Sequence, residues 1–166
     1  MEGFGFASNY IGRLDAKGRV SIPASFRAVL SREGCEGLYV HRALDLPALD
    51  CGGYGLQRQI DEFLAHFSPY SDEHQDFSVA LKGRSEILKI DTEGRVILSE
   101  DTKAHAGIGA EVAFVGLGPK FQIWEPGRFR MHSAEAISRL RNYRKQLSAR
   151  HAAPEVPEPR PHGARE

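Results

Sequence analysis

The chain has 166 residues, a formal net charge of zero at pH 7, and 41% hydrophobic and 27% charged residues, a composition typical of a globular protein. No apolar run approaches the roughly 20 residues that a transmembrane helix needs, and MEGFGFASNY at the start lacks the pattern of a secretory signal. The cysteines, Cys35 and Cys51, are too few for a disulfide framework. We therefore expect a cytoplasmic protein with reduced thiols and no membrane partner.

The charges are unevenly distributed along the chain. Residues 34–83 carry eight Asp and Glu against three Lys and Arg, whereas residues 128–150 carry seven Lys and Arg against one Glu. Such a molecule can present a positive face without a positive total charge. Neutrality therefore does not exclude a nucleic-acid partner.

The first predicted elements contain a string that returns 76 positions later. LDAKGRVSIP at 14–23 and IDTEGRVILS at 90–99 share Asp, Gly, Arg and Val at matching positions. NYIGRL (9–14) and SEILKI (85–90) precede the two strings with the period-2 pattern of a strand. A short apolar strand, VSI or VIL, ends each string, so the sequence predicts two equivalent units.

Each string leads into a predicted short helix, residues 23–30 and 99–106. Pro23 suits a first helical turn, Ser99 suits an N-cap, and Gly107 suits a helix stop. Strands are predicted next at 37–44 and 110–117, and in the second unit a GPK turn leads into FQIW (121–124) to make a hairpin.

A helical insertion is predicted between the two units. In residues 56–67, five apolar side chains share one helical face, namely Leu56, Ile60, Phe63, Leu64 and Phe67. A second short helix is predicted after Tyr70, with Phe77 and Leu81 directed inward.

A basic helix is predicted after the second unit, at 133–147, with Ile137, Leu140 and Leu147 on one face. Two interpretations of its charge stay open, namely contact with DNA phosphates and packing against the acidic insertion of a neighbouring subunit. The final residues, rich in Pro and charge, are predicted to be disordered. The predicted division of the chain is 4–53 (first unit), 54–81 (insertion), 82–127 (second unit), 128–150 (basic helix) and 151–166 (tail).

The repeated turn has a defined chemistry. The Asp carboxylate, Asp15 or Asp91, can accept a backbone N–H two residues on, and the glycine, Gly18 or Gly94, can adopt a positive φ. The following arginine then leaves a rigid loop, where a guanidinium is suited to phosphate or to the O6/N7 edge of guanine. The alternative is that the turn is purely structural and that each arginine pairs with its own aspartate.

Other kinds of site find little support in the sequence. The seven histidines show no metal-ligand spacing, the glycine-rich stretch before Lys120 lacks the phosphate-loop pattern, and no nucleophile motif occurs. Phe121 and Trp124 read as core side chains rather than as a base-stacking platform. We therefore expect no enzyme activity, cofactor, metal or small-molecule substrate.

The doubled Asp-x-x-Gly-Arg strings, with FQIWEPGRF (121–129) closing the second unit, resemble the MraZ family of bacterial regulators over roughly residues 4–147. A single copy would also fit the wider AbrB/MazE-type swapped-hairpin family. The resemblance implies an α+β fold, a duplicated AbrB-like swapped-hairpin β-barrel with short helices, in which two halves of one chain act as two subunits. It also implies a ring-shaped homo-oligomer that binds G-rich direct repeats in double-stranded promoter DNA, mainly represses its own division and cell-wall operon, and associates with the nucleoid.

Carried over by position, the resemblance assigns Arg19 and Arg95 to DNA contact, with Lys17 assisting. Arg13 and Lys89 are possible phosphate contacts from the strand pattern. The chain departs from the family where Leu98-Ser99 replaces the usual Ile/Val-Pro pair, and an N-cap serine is expected to start that helix instead. Glu93 stands where the first string has Lys17, so the first loop is expected to be the stronger DNA contact.

Two other functions remain open at this stage. AbrB-like folds also serve as antitoxins that act through a tail segment, so the tail or the acidic insertion could make this chain a protein-interaction module. The tail lacks the alternating apolar residues that such docking uses. A purely structural ring is the third possibility.

Overall fold

A computed structural model describes residues 3–152. It is an α+β structure built on antiparallel strands, as predicted, and it divides into two compact units between Phe129 and Arg130. The division into five segments stays a prediction. The first unit contains all the strands and four of the five α-helices found in the described part of the chain.

The elements follow the order of the predicted repeat. The first half is β1 (Asn9–Arg13), β2 (Arg19–Ser21), α1 (Ala24–Arg32), β3 (Gly37–Arg42) and β4 (Leu49–Gly52). The insertion is α2 (Tyr54–Leu64), α3 (Asp72–Ser78) and a π-helical turn (Val79–Gly83). The second half is β5 (Glu86–Lys89), β6 (Arg95–Ile97), α4 (Glu100–Ala106), β7 (Glu111–Gly116) and β8 (Phe121–Trp124), and α5 (Pro126–Ala152) follows.

The strands form a six-stranded antiparallel sheet in the order β1-β7-β8-β4-β3-β5 and a two-stranded ribbon of β2 and β6. The first strand of each half pairs with the other half, because β1 lies against β7 and β5 lies against β3. The two halves therefore exchange strands and share one core.

Two strand pairs are self-symmetric and mark a pseudo-twofold axis. In the ribbon, Val20 faces Val96, its own counterpart 76 positions on, and the flanking pairs exchange under the same shift. In the sheet, Asp50 faces Gln122, with Leu49 opposite Ile123 and Cys51 opposite Phe121. Shifting by 72 positions exchanges those flanking pairs. The pseudo-twofold axis therefore passes through the Val20–Val96 pair and the Asp50–Gln122 pair.

The outer strand pairs have equivalent registers as well. Ile11 faces Ala113, and Ile87 faces Tyr39. These pairs correspond once α1, with nine residues, is allowed two more than α4, with seven. The two extra residues lie within the helix, so the strand registers on either side of it remain equivalent.

The shared core lies between the ribbon, the short helices and the sheet. Val20 and Val96 are 1% exposed, and the rings of Phe6, Phe26 and Phe121 pack at centroid distances of 4.9–5.4 Å. Phe121 and Trp124 are buried, which confirms their prediction as core residues. Burial of such side chains is the main driving force for the fold.

The insertion has its own apolar cluster. Leu56, Ile60 and Leu64 of α2 pack with Leu81 around Tyr39 of the sheet, whose hydroxyl donates to the Leu81 carbonyl. The predicted inward face is confirmed for Leu56, Ile60 and Leu64, but Phe63 is 39% exposed. Phe63 instead packs edge-on against Phe77, at a centroid distance of 4.9 Å. Phe67 lies beyond the end of α2 at Leu64 and is half-buried, so the predicted helix over 56–67 is too long at its C-terminal end.

Helix ends account for several details of the predictions. Ser99 caps α4 by accepting the Thr102 N–H at 3.3 Å, as expected where a serine replaces proline. Gly107 ends α4 with a φ of +66°, as predicted. Pro23 lies at the N-cap of α1, one residue before the first turn predicted for it.

Two elements differ from the sequence predictions. Strand β4 was not predicted, because its four residues, LDCG, are too few to show a period. The last helix is longer than the predicted 133–147, because Glu125 accepts the N–H groups of Gly127 and Arg128 and starts α5 at Pro126. Of the predicted tail, His151 and Ala152 are helical, and the prediction of disorder for the rest lies outside the described residues.

Candidate nucleic-acid interface

The first repeated turn is closed by the Asp15 carboxylate. One carboxylate oxygen, Oδ1, accepts the N–H groups of Lys17 and Arg19, both at 2.9 Å, and Oδ2 accepts from Arg19 Nε at 2.7 Å. Gly18 has a φ of +78° and donates its N–H to the Asp15 carbonyl at 3.0 Å. One side chain therefore fixes both the backbone of the loop and the base of the arginine.

The second turn repeats this geometry. Asp91 Oδ1 accepts the N–H groups of Glu93 and Arg95 at 2.9 Å, and Oδ2 accepts from Arg95 Nε at 2.9 Å. Gly94 has the same φ of +78°, a conformation that glycine adopts at low cost. The sequence identity of the strings thus corresponds to identity of structure.

The hydrogen bonds shift the pKa values of these groups. The backbone N–H of Arg19 is the main cause that lowers the pKa of Asp15, and that of Arg95 does the same for Asp91. The pKa of Arg95 is raised, chiefly by its hydrogen bond to Asp91, with Glu93 and Asp15 adding negative charge nearby. Both carboxylates are therefore ionised at neutral pH.

Arg19 and Arg95 lie on one face of the β2–β6 ribbon. Arg19 is opposite Ile97 and Arg95 is opposite Ser21, and side chains directly opposite each other, or two apart, share a face. Val20 and Val96 occupy the other face and are buried. The core therefore anchors the ribbon while the two arginines project from its other side.

The structure shows the arginine–aspartate pairing that one of the two sequence interpretations expected. Each arginine does pair with its own aspartate, through Nε. A guanidinium has five N–H donors, and the ion pair of Arg19 within residues 3–152 uses the Nε donor alone. This bond holds the side chain in place and leaves the two Nη groups of Arg19 outside the ion pair.

The two loops differ in how far their arginines are engaged. Arg95 makes a second ion pair, from Nη2 to Glu93 at 3.1 Å. In the first loop the equivalent position is Lys17, an exposed cation. Electrostatically, the first loop is more suited to an anionic partner than the second.

Two basic residues on the short helices were missed by the sequence analysis. A Cβ placed on Gly94 would lie 2.5 Å from Nη1 of Arg27, and one on Gly18 would lie 3.8 Å from Nζ of Lys103. Helix α1 of the first half thus lies over the second loop, and α4 of the second half lies over the first. Because 27 and 103 are also 76 positions apart, the repeat itself contained this signal.

The other candidate residues lie on the strands that lead into the loops. Arg13, at the end of β1, is 78% exposed and pairs with Glu111 at 3.3 Å. Lys89, at the end of β5, is exposed beside Gly37. Arg13 is therefore partly neutralised, whereas Lys89 adds positive charge near the second loop.

A metal site, a membrane span or a ligand cavity would each need particular features within residues 3–152. No group of three or more His, Cys, Asp and Glu side chains there could hold a metal ion, and no helix among residues 3–152 is long and apolar enough to cross a membrane. The cavity of about 410 Å³ beside α2 contains a buried polar network, in which Asp50 accepts from Gln122 at 2.8 Å and from Lys120 at 3.1 Å.

Comparison with known proteins places this geometry in a family. Residues 82–150 match the family model described as "MraZ protein, putative antitoxin-like". The chain is 66% identical to a protein of Beijerinckia indica named Transcriptional regulator MraZ, over 97% of this chain and 98% of that protein. The chain belongs to the MraZ family.

Other relatives support the assignment over both halves of the chain. A Methylocella silvestris protein of the same name is 64% identical over 98% of this chain and 99% of its own length. A Rhizobium meliloti protein, also named Transcriptional regulator MraZ, is 38% identical over 87% of this chain and 97% of its own length. The matched MraZ family members therefore extend across both repeated loops.

Proposed function

We propose that this chain is a sequence-specific DNA-binding transcriptional regulator that contacts double-stranded promoter DNA through its two Asp-x-x-Gly-Arg loops. The observation that carries the proposal is the pair of arginines, Arg19 and Arg95, on one face of a ribbon with a pseudo-twofold axis. DNA has a local twofold of its own, and proteins with twofold symmetry exploit it. The relatives named Transcriptional regulator MraZ support the same function.

Base recognition is assigned to Arg19 first and to Arg95 second. The Asp15 bond to Nε leaves the paired Nη groups of Arg19 to engage a guanine or a phosphate. Arg95 is further engaged by Glu93, whose charge disfavours phosphate. Lys17, Lys103 and Arg27 add sequence-independent attraction to the backbone.

Loops of one chain supply limited affinity, because a good arginine–guanine pair contributes about 1–3 kcal/mol of discrimination. We propose that the chain assembles into a ring and binds G-rich direct repeats, so that several loops act at high effective concentration. In this proposal it represses its own division and cell-wall operon and acts at the nucleoid.

The test is binding to a fluorescent fragment of the chain's own upstream region, followed by anisotropy across a salt series. Wild type should bind tightly with a steep salt dependence, and Arg19→Ala should lose nearly all specific binding. Arg58→Ala, which removes an exposed arginine from α2, is the matched control and should bind as wild type does. A sizing column should show the same oligomer for all three.

The antitoxin alternative has a different requirement. The family description contains the words "antitoxin-like", and that function would depend on the tail rather than on Arg19. Equal DNA binding by wild type and Arg19→Ala would reject the loops as the DNA interface. Loss of a protein partner on deletion of residues 153–166 would then favour the protein-interaction function.

A further inference from the structure

Two arginines and a histidine outside the two repeated loops share one small cavity. Arg42, Arg84 and His105 line a cavity of about 170 Å³, together with the apolar residues Ala43, Leu44 and Ala80. None of these six lining residues is acidic. Two guanidinium groups and an imidazole thus face one small space without a lining carboxylate to balance them.

One polar atom of this cluster is unsatisfied. Arg42 Nε is buried from solvent, and within residues 3–152 it has no hydrogen-bond partner. Most buried polar groups in folded proteins are paired, so such a donor calls for an explanation. Arg42 is one of the residues that line the cavity, so the unsatisfied donor belongs to a side chain that an acceptor bound there would contact.

The three side chains are held by three separate elements. Arg42 ends β3, Arg84 directly follows the π-helical turn of the insertion, and His105 lies in α4 of the second half. The Arg84 N–H bonds the Val79 carbonyl at 2.9 Å and closes the π turn, and such turns occur often at functional sites. His105 Nε2 lies 3.2 Å from the Leu46 carbonyl, to which it donates, leaving Nδ1 as its second polar atom.

We propose that this cavity binds a small free oxyanion of the phosphate or carboxylate class, held by Arg42 and Arg84 with His105 beside it. A planar guanidinium presents donors that match the paired oxygens of either group. The volume of about 170 Å³ corresponds to roughly six water molecules at about 30 Å³ each, which suits a small anion rather than a nucleotide.

The cavity is distinct from the second repeated loop, around Asp91 and Arg95. Gly37, at the far end of β3 from Arg42, is the residue that pairs with Lys89 just before that loop. Five residue steps along a strand correspond to about 17 Å. An anion here would join the first half, the insertion and the second half, and would favour the folded state by binding to it.

The experiment measures thermal unfolding of the full chain against inorganic phosphate and, separately, acetate, with chloride keeping the ionic strength constant. Wild type should show a saturable rise in Tm with one of these anions, which identifies the class. Arg42→Gln and Arg84→Gln should each weaken the binding of that anion at least tenfold. Arg58→Gln, on α2 and outside the cavity lining, is the matched control and should respond as wild type does.

Arg84 is exposed, so Arg84→Gln is expected to fold. It therefore tests the site even if Arg42→Gln does not fold. No anion-specific rise in wild type, or an equal rise in Arg84→Gln, would overturn the proposal. Binding of promoter DNA at fixed salt provides the last arm. If Arg84→Gln weakens DNA binding as strongly as Arg19→Ala, a DNA phosphate is the occupant and the free-anion site is rejected.

Discussion

The Arg27 side chain lies directly over the backbone of Gly94, so that a Cβ added to this glycine would stand 2.8 Å from Arg27 Nε. Arg27 belongs to the first half of the chain and Gly94 to the second. The same Nε donates to the Ile22 carbonyl at 3.1 Å, and the Ile22 N–H donates to the Gly94 carbonyl at 2.9 Å. A short chain of contacts thus ties the helix of one half to the loop of the other.

The first prediction compares Gly18→Ala with Gly94→Ala. Both glycines have a φ of +78°, so each alanine should lower the free energy of unfolding by about 1–2 kcal/mol through backbone strain. Gly94→Ala should lower the free energy of unfolding by more than Gly18→Ala does, because the Arg27 side chain must also move. Urea denaturation of both variants measures the difference.

The control for this prediction is an Arg27→Ala background. There Gly94→Ala should cost no more than Gly18→Ala costs in wild type, since the obstructing side chain is gone. A double-mutant cycle isolates the coupling. An unchanged cost for Gly94→Ala would mean that Arg27 yields freely and does not brace the loop.

The second prediction concerns Lys103, whose Nζ lies near the Gly18 position and pairs with Glu100 at 2.7 Å. Lys103→Ala should weaken binding to all DNA sequences about equally and reduce the salt slope by about 1, as expected for loss of one phosphate contact. Fluorescence anisotropy on specific and random fragments measures both effects.

Glu100→Ala is the matched control, because it removes the ion pair but keeps the cation. It should bind DNA at least as well as wild type. If Lys103→Ala changes neither affinity nor slope, α4 lies away from the DNA backbone.

The third prediction uses the difference between the loops. Glu93→Gln removes a negative charge and releases Nη2 of Arg95 from its ion pair, so DNA affinity should rise several-fold at low salt. Glu93→Lys should raise it further, because it restores the charge that Lys17 gives the first loop. Binding titrations at two salt concentrations provide the measurement.

Lys17→Gln is the complementary variant and should lower DNA affinity. The prediction fails if Lys17→Gln weakens binding while neither Glu93 variant alters it. In that case only the first loop would contact DNA.

The fourth prediction is a pH dependence of stability from Asp15 and Asp91. Hydrogen bonds in the folded state lower the pKa of each carboxyl below its ordinary value of 3.8. Their stabilising contribution is therefore present above pH 3.8 and is lost as the pH falls through the folded-state pKa. Wild type should be more stable than Asp15→Asn at pH 7, and the gap should narrow below about pH 4.

Urea denaturation from pH 7 to pH 3 provides the measurement. Asp45→Asn, at a carboxyl outside both turns, is the matched control and should not reproduce the loss of stability that Asp15→Asn shows at pH 7. A gap between wild type and Asp15→Asn that stays constant across this range would show that ionisation of the carboxyl does not matter to the turn.

The repeat made much of the fold predictable, because equivalent strings must fold into equivalent elements. The strands into the loops, both turns, the Ser99 cap and the Gly107 stop all follow from local rules about Asp, Gly and Ser. The exchange of strands between halves came from the family resemblance, since local patterns do not say which strands pair.

The remaining features depend on long-range register. Strand β4 has only four residues, all buried, so it showed no alternation. The Arg13–Glu111 pair joins residues 98 positions apart and exists because β1 lies against β7. Arg27 and Lys103 stood at matching positions of the repeat, yet their place over the opposite loops depends on the exchanged arrangement.

Joining the two halves in one chain also gives the module a direction. Two separate identical subunits would present identical loops. In this chain the first loop has Lys17 where the second has Glu93. The side chain over the first loop is Lys103, and the side chain over the second is Arg27. A surface with two different loops is asymmetric, so its two orientations on a non-palindromic duplex are not equivalent. If the proposed binding to direct repeats is correct, copies bound along tandem sites can therefore all point the same way.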